Sequence, residues 1–187
     1  MTHIEAETIE TTRLVLEPLR IEHAEPMVLV LADPQLHSFI GGVPDTAPQL
    51  RSRYARMLAG PSDPAESWCN WVIRLRENHE LTGTVQATIS PDADADGLHA
   101  EIAWVIGTTW QRRGIATEAA RALVDWLARQ PIHAVIAHIH PDHHASAAVA
   151  SAAGLTPTTE LHDGEVRWRM SIDPRLVEPD TEPSSMY

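Results

Sequence analysis

The chain has 187 residues, of which 43% are hydrophobic, so it is long enough for one domain with a sizeable buried core. Its formal net charge is −12 and every basic residue is an arginine, which argues against a nucleic-acid-binding surface because such a surface needs a basic face. No apolar run approaches the length of a membrane span, the start does not resemble a signal peptide, and the lone Cys69 cannot form an internal disulfide, so we expect a cytoplasmic protein without membrane contact.

Hydrophobic periodicity predicts a mixed α/β chain that begins with a strand over residues 12–19, where Leu14 and Leu16 share one face. A helix over residues 21–31 follows and ends before Pro34. The other predicted elements are a helix at 45–59, strands at 68–76, 81–89 and 100–106, a helix at 115–129, a strand at 133–139, a helix at 144–153, and strands at 155–159 and 165–172. We expect residues 1–172 to form a single domain and residues 173–187 to form an acidic, proline-rich tail.

The loop over residues 111–116 joins a predicted apolar strand to a predicted helix. Gly114 allows the backbone to come close to a ligand, and the first N–H groups of the helix have no internal partner. Arg112 and Arg113 add two guanidinium groups. The loop therefore predicts a phosphate or pyrophosphate site, although it matches neither the Walker A pattern nor the dinucleotide fingerprint.

This loop, with the sequence Gln-Arg-Arg-Gly-Ile-Ala, resembles the acyl-CoA pyrophosphate loop of the GNAT superfamily of N-acetyltransferases. Residues 12–19, 101–106 and 141–155 resemble, in the same order along the chain, stretches of its ribosomal-protein-alanine N-acetyltransferase subfamily. The resemblance covers roughly residues 8–172. It implies the GNAT acyl-CoA N-acyltransferase fold, with the element order β-α-α-β-β-β-α-β-α-β-β, and acetyl-CoA as co-substrate.

In the GNAT fold the fourth and fifth strands splay apart, and the pantetheine arm of the cofactor lies in the gap. The resemblance implies that the backbone of Trp104, Val105 and Ile106 pairs with the pantetheine amides. It also implies that His143, where the family has asparagine, and Ser146 contact the cofactor. The implied pyrophosphate site comprises Gly107, Gln111, Arg112, Arg113, Gly114, Ile115, Ala116 and Thr117.

The same resemblance implies direct acetyl transfer without a covalent enzyme intermediate. Glu101 is then the candidate general base, acting directly or through a water; the alternative is a strand glutamate that faces an arginine. Many members protonate the leaving thiolate with a tyrosine, but that position here is Ala150. Ser146 is the replacement candidate for contacting the sulfur, and its alternative role is to cap the helix.

The expected acceptor is a primary amine: a protein N-terminus, an amino acid or peptide, or an amino-bearing small molecule. The acidic net charge suits such cationic substrates. By a looser resemblance, Phe39, Ile40 and Tyr54 line the acceptor site. Because dimers are common in the superfamily, a homodimer is also an expectation.

Two other functions stay open at this stage. The absence of tyrosine at Ala150 permits a non-catalytic acyl-CoA-binding regulatory module. The histidines between His138 and His144 permit a metal site, but neither a cysteine pair nor a His-x-x-x-His helix accompanies them, so we expect no metal. We expect Cys69 to be a small buried apolar residue.

Overall fold

A computed structural model describes residues 3–92 and 97–172 of the protein. Within them, eight strands form one mixed sheet in the order β1-β2-β3-β4-β5-β6-β8-β7. All neighbouring strands are antiparallel except β5 and β6, which are parallel. The strands are β1 (Ile9–Glu10), β2 (Leu14–Pro18), β3 (Ser67–Leu75), β4 (Leu81–Pro91), β5 (Leu98–Ile106), β6 (Ile132–Ile139), β7 (Thr156–His162) and β8 (Glu165–Ser171).

Helices accompany the sheet, and together they confirm the predicted mixed α/β class. The short strand β1 and the short helix α2 are additions to the predicted elements. The α-helices in the described part of the chain are α1 (Ala24–Val30), α2 (His37–Ile40), α3 (Ala47–Ala59), α4 (Ile115–Leu127) and α5 (His144–Ala152).

The helix predicted over residues 21–31 is wrong in its first turn. Residues Ile21–His23 form a 3₁₀ turn, and the α-helix starts at Ala24. Pro26 gives the physical reason, because a residue without an N–H is tolerated in the first turn of an α-helix but not in its interior. The α-helix therefore begins just before Pro26 and keeps it in that turn.

The helices cover the sheet on two sides. Helix α4 packs its apolar stripe, which includes the fully buried Leu123 and Leu127, against the core on one side. Trp126 of α4 meets Trp71 of β3 edge to face, with ring centroids 5.2 Å apart. Helix α1 contributes Met27 and helix α3 contributes Leu50 to a second apolar cluster on the other side. The sheet thus carries helices on both faces.

Strands β5 and β6 pair for only part of their length. Their register runs from Leu98 opposite Ile132 to Glu101 opposite Ile136 and then stops. Beyond that point β5 stays paired with β4 as far as Ile106. Strand β6 likewise stays paired with β8 as far as Ile139. The two central strands therefore splay apart, and a V-shaped gap opens within the sheet.

The predicted tail at residues 173–187 lies outside the described residues. Among those that are described, no helix combines the length and apolar character needed to cross a membrane. The assignment of residues 1–172 to a single domain stays a prediction.

Candidate active site

A cavity of about 640 Å³ lies between the end of β5 and the start of α5, the helix that follows β6. The end of β5 and the start of α4 form one side, and the loop before α5 forms the other. Most residues of the predicted cofactor set line this cavity. These are Trp104, Val105, Ile106, Gln111, Arg112, Gly114, Ile115, Ala116, Thr117, His143 and Ser146.

The start of α4 presents free backbone donors to the cavity. Gly114, the N-cap residue, has φ +75° and ψ 8°, a left-handed conformation that glycine adopts without strain. The first hydrogen bond of the helix runs from the Glu118 N–H to the Gly114 carbonyl. The N–H groups of Gly114 and of residues 115–117 therefore have no partner within the helix, and they carry the positive end of its dipole. This arrangement suits a phosphate oxygen.

Hydrogen bonds to Glu118 hold the start of α4 against the segment that leads into β2. The Glu118 carboxylate accepts hydrogen bonds from the Thr11 hydroxyl at 2.6 Å, the Arg13 backbone N–H at 3.0 Å and Arg13 Nε at 2.6 Å. The Arg13 guanidinium also donates to the Arg113 carbonyl at 3.0 Å. Burial alone raises the pKa of Glu118, but the bonds from Thr11 and Arg13 outweigh it, so the pKa lies below its ordinary value.

Two residues of the predicted set lie outside the cavity lining. The Arg113 side chain turns to Glu77, with Nη2 3.5 Å from Oε1. Gly107 packs against α1 instead, because an added Cβ would lie 2.7 Å from the Val30 carbonyl oxygen. Gln111 lines the cavity, but its side chain also closes the loop by donating to the Ile106 carbonyl at 3.0 Å.

His143 begins the opposite wall. Its Nδ1 accepts the Ser146 N–H at 3.1 Å and so caps α5. In a neutral ring the proton then resides on Nε2, which leaves that nitrogen as a donor. Phe39 of α2 contacts the same ring in a tilted arrangement, with ring centroids 4.1 Å apart and an angle of 53° between the ring planes. The cap of α5 is thus the His143 ring, whereas the alternative reading of the sequence gave that role to the Ser146 side chain.

Glu101 lies where β5 and β6 part, because it is the last residue of β5 that pairs with β6. Its side chain is 46% exposed, and Oε1 lies 2.9 Å from Nδ1 of His138 on β6. The contact is therefore with a histidine, not with the arginine that the alternative interpretation supposed. The sequence offered no signal for this pair, because it depends on the register between β5 and β6.

Two of the residues predicted to line the acceptor site, Phe39 and Tyr54, lie at different cavities. Phe39 lines the 640 Å³ cavity, whereas Tyr54 lines a second cavity beneath α1 and α3. The side chain of Ile40 lies outside the described part of the structure. The sequence also gave no reason to include Gln35 and Leu36, which line the cavity from the turn before α2.

Two further features considered from the sequence are Cys69 and a possible metal site. Cys69 is fully buried, as predicted, and burial raises the pKa of its thiol to about 12. Among residues 3–92 and 97–172, no three His, Cys, Asp or Glu side chains converge in a way that could hold a metal ion.

Comparison with known proteins assigns the fold to a family. Residues 13–156 match the family described as the acetyltransferase (GNAT) domain. The chain belongs to the GNAT acetyltransferase family. Members of this family use acetyl-CoA, and the match covers β2, β5, α4 and α5, which carry the site. No curated protein matches the sequence.

Solved structures agree with this assignment. The ribosomal-protein α-N-acetyltransferase RimL in complex with coenzyme A has 21% identity and a TM-score of 0.74, and the match covers 90% of this chain and 99% of that one. An acetyltransferase from Agrobacterium tumefaciens has 25% identity, a TM-score of 0.69 and coverage of 91% and 97%. The microcin self-immunity acetyltransferase MccE, in complex with acetyl-CoA and AMP, has 17% identity, a TM-score of 0.70 and coverage of 87% and 94%.

The Glu118 attachment generates a prediction of pH-dependent stability. We expect Glu118→Gln to lower the free energy of unfolding at pH 7 by about 1–3 kcal/mol, because hydrogen bonds to a charged acceptor are lost. The folded-state pKa is depressed, so this contribution is complete above the ordinary value of 4.5 and fades as the pH falls through the folded-state pKa. Urea unfolding of both proteins between pH 7 and pH 3 measures the difference.

Glu77→Gln is the matched control, because Glu77 is 68% exposed and its contact with Arg113 is long. We expect that variant to change the free energy of unfolding by less than about 0.5 kcal/mol. A Glu118→Gln penalty that stayed constant down to pH 3 would contradict the assigned role of the carboxylate.

The His143 cap generates a second prediction. His143→Ala should lower the free energy of unfolding by about 1 kcal/mol, because the Ser146 N–H loses its acceptor. His143→Asn should keep most of that stability, because asparagine is a good N-cap residue. Urea unfolding at pH 7 compares the two, and equal losses in both variants would show that the ring contact with Phe39, rather than the cap, stabilises this part of the structure.

Proposed function

We propose that the protein transfers the acetyl group of acetyl-CoA directly to a primary amine. One observation carries the proposal: the unpaired edge of β5 and the free N–H groups at the start of α4 line the same cavity. An extended amide chain can pair with the strand edge while its phosphate end reaches the helix. Acyl-CoA has this combination of an amide-bearing arm and a pyrophosphate.

The residues present fit such a co-substrate. The backbone of Trp104, Val105 and Ile106 would pair with the pantetheine amides in the place that β6 leaves open. The N–H groups of residues 114–117 would hold the pyrophosphate, and Arg112 at the cavity wall would add a charge-assisted contact. When bound, acetyl-CoA supplies the acetyl group as a reactive thioester.

Deprotonation of the acceptor amine is the task that we assign to Glu101. An ammonium with a pKa of about 10.4 costs roughly 4.6 kcal/mol to deprotonate at pH 7, whereas an α-amino group near 7.8 costs about 1 kcal/mol. Glu101 stands at the closed end of the gap, and its half-exposed carboxylate is open to solvent. His138 orients that carboxylate through the 2.9 Å contact, so we regard His138 as a positioning residue.

Ser146 is our candidate for stabilising the leaving thiolate. It lies in the first turn of α5 and lines the cavity. Its backbone N–H is already bound by the His143 ring, which leaves the hydroxyl available to donate. The His143 Nε2–H is a second donor on the same wall, and we propose that it contacts a pantetheine carbonyl.

The acceptor is a primary amine of the kind carried by protein N-termini, peptides or small molecules. The similarity to RimL, whose name includes the acetylation of an N-terminal amine, supports the first of these. The main competing function is a non-catalytic acyl-CoA-binding module. Ala150, at the position of the usual tyrosine, favours that alternative, whereas the presence of Glu101 and Ser146 favours the enzyme.

Acetyl-CoA binding tests the cavity directly. Calorimetric titration should give one-to-one binding of acetyl-CoA. Gly114→Glu should weaken that binding at least 100-fold, because the new side chain fills the space at the helix start and its negative charge repels a phosphate. Gly164→Glu is the matched control. Gly164 also has a positive φ, +84°, and its added Cβ would meet no atom within 4 Å, but it lies in the turn between β7 and β8.

We expect Gly164→Glu to bind acetyl-CoA within about twofold of the wild type. Thermal unfolding of both variants shows whether the strained backbone has lowered stability equally. If the wild-type protein does not bind acetyl-CoA, or if both variants lose binding together, the assignment of the loop is wrong.

The catalytic assignment predicts a pH-dependent loss of rate. With an α-amino acceptor, Glu101→Gln should lower kcat/KM at pH 7 by about five- to tenfold, because deprotonation of that amine costs only about 1 kcal/mol. The deficit should shrink at pH 9, because the acceptor is then already deprotonated. Release of CoA thiol measures the rate, and Ser146→Ala should lower kcat without this change with pH.

Glu10→Gln serves as the control, because Glu10 is a 63% exposed carboxylate at the edge of the sheet, and its side chain forms an ion pair with Arg76. Its activity should equal that of the wild type. Acetyl-CoA binding without CoA release from any amine would favour the non-catalytic alternative.

A further inference from the structure

A second cavity, of about 160 Å³, lies beneath α1 and α3 on the sheet. It meets the acyl-CoA cleft at Val105, which lines both cavities. Gln86 of β4 also lines it, and Gln86 pairs with Ala103, two residues from Glu101 on the same face of β5. Two residues along a strand span about 7 Å. The cavity thus adjoins the position where the acceptor amine would meet its base.

Tyr54 of α3 lines this cavity and is 2% exposed. Its hydroxyl is buried and has no hydrogen-bond partner among the described residues. Burial raises the pKa of Tyr54 to about 12, so the hydroxyl keeps its proton and is a donor at neutral pH. A buried donor without an acceptor destabilises the protein, so a ligand that supplied the acceptor would be bound more tightly.

His37 supplies the complementary group. Its Nδ1 lies 3.1 Å from the Gly41 carbonyl oxygen, which can only accept, so in a neutral ring the proton resides on Nδ1. Nε2 is then an acceptor, and it too is buried without a hydrogen-bond partner in the described part of the chain. The cavity therefore offers one unused donor, on Tyr54, and one unused acceptor, on His37.

The size and charge of the cavity limit what it can hold. A cavity of about 150 Å³ is known to take benzene, a ligand of six non-hydrogen atoms. The charged residues at its wall, Asp45 and Arg53, neutralise each other in an ion pair of 3.0 Å. A charged ligand group would lose its hydration without gaining a partner, so the cavity favours an uncharged one.

We infer that this cavity binds the side group of the acceptor amine, and that the group is small, uncharged and able both to accept and to donate a hydrogen bond. A hydroxyl or a carboxamide has these properties, because it can accept from Tyr54 and donate to His37. The inference rests on the proposed acetyl transfer and specifies its substrate class. Tyr54 and His37 are then specificity-determining residues.

Isosteric acceptors test the inference, because threonine and valine differ only by a hydroxyl in place of a methyl. We would measure CoA release with acetyl-CoA and two pairs of peptide amides: Thr-Ala-Ala and Val-Ala-Ala, and Ala-Thr-Ala and Ala-Val-Ala. A third pair is 1-amino-2-propanol and isobutylamine. In the wild type, kcat/KM should favour the hydroxyl-bearing member of at least one pair by 10-fold or more.

In Tyr54→Phe the ratio of the two kcat/KM values should fall to about one, because activity on the hydroxyl-bearing acceptor is lost. The variant should melt no lower than the wild type, since it removes only an unsatisfied hydroxyl, and it should bind acetyl-CoA equally well. Thr158→Val is the matched control: it removes a hydroxyl from β7 that donates to the Arg167 carbonyl at 2.8 Å, and it should keep the preference.

The possible failures are distinguishable. Transfer at equal rates within every pair, or a preference that Tyr54→Phe retains, would overturn the inference and leave the proposed acetyl transfer standing; a water that fills the cavity permanently would give this result. No transfer to any of the six amines by protein that binds acetyl-CoA would count against the enzymatic function and against the inference with it.

Discussion

The parting of β5 and β6 after Glu101 is the constraint on which the rest of this molecule depends. Buried backbone N–H and C=O groups need partners, and a strand that leaves its neighbour inside a sheet exposes a row of them. The outer edges of both strands remain paired, β5 with β4 and β6 with β8, so the gap cannot close by moving one strand alone. The fold thus holds open an edge that an extended amide chain can complete.

The start of α4 adds a second preformed element beside this edge. Gly114 turns the chain into the helix, and the Glu118–Arg13 contacts hold that first turn against β2. Because the donors are backbone groups on a fastened helix, they need no side-chain rearrangement to receive an anion. The strand edge and the helix start both depend on backbone position more than on side-chain identity.

The two cavities meet at Val105, and in the proposed reaction each would bind one of the two substrates. The larger one has a strand edge and a helix start for the acyl donor, and the smaller one has the unpartnered hydroxyl of Tyr54 and ring nitrogen of His37 for the acceptor. Glu101 lies where the gap closes, on the face that the acceptor cavity adjoins. Donor and acceptor would therefore approach the reacting centre from different directions, which direct transfer without a covalent enzyme intermediate requires.

The sequence alone predicted the mixed α/β class, most of the elements and the glycine turn into α4, because these depend on local signals: the apolar stripe of α4, the alternation in β2 and the glycine before a helix. It did not determine contacts between distant segments. Arg113 contacts Glu77, His138 contacts Glu101, and Phe39 contacts His143 only because strand register and helix packing bring them together. Even the 3₁₀ turn before α1 follows local chemistry, through Pro26, whereas the cavity at Tyr54 exists only because α1 and α3 pack across a sheet formed by residues far away in the chain. Local periodicity reports which face of an element is apolar, and only the folded chain decides what that face meets.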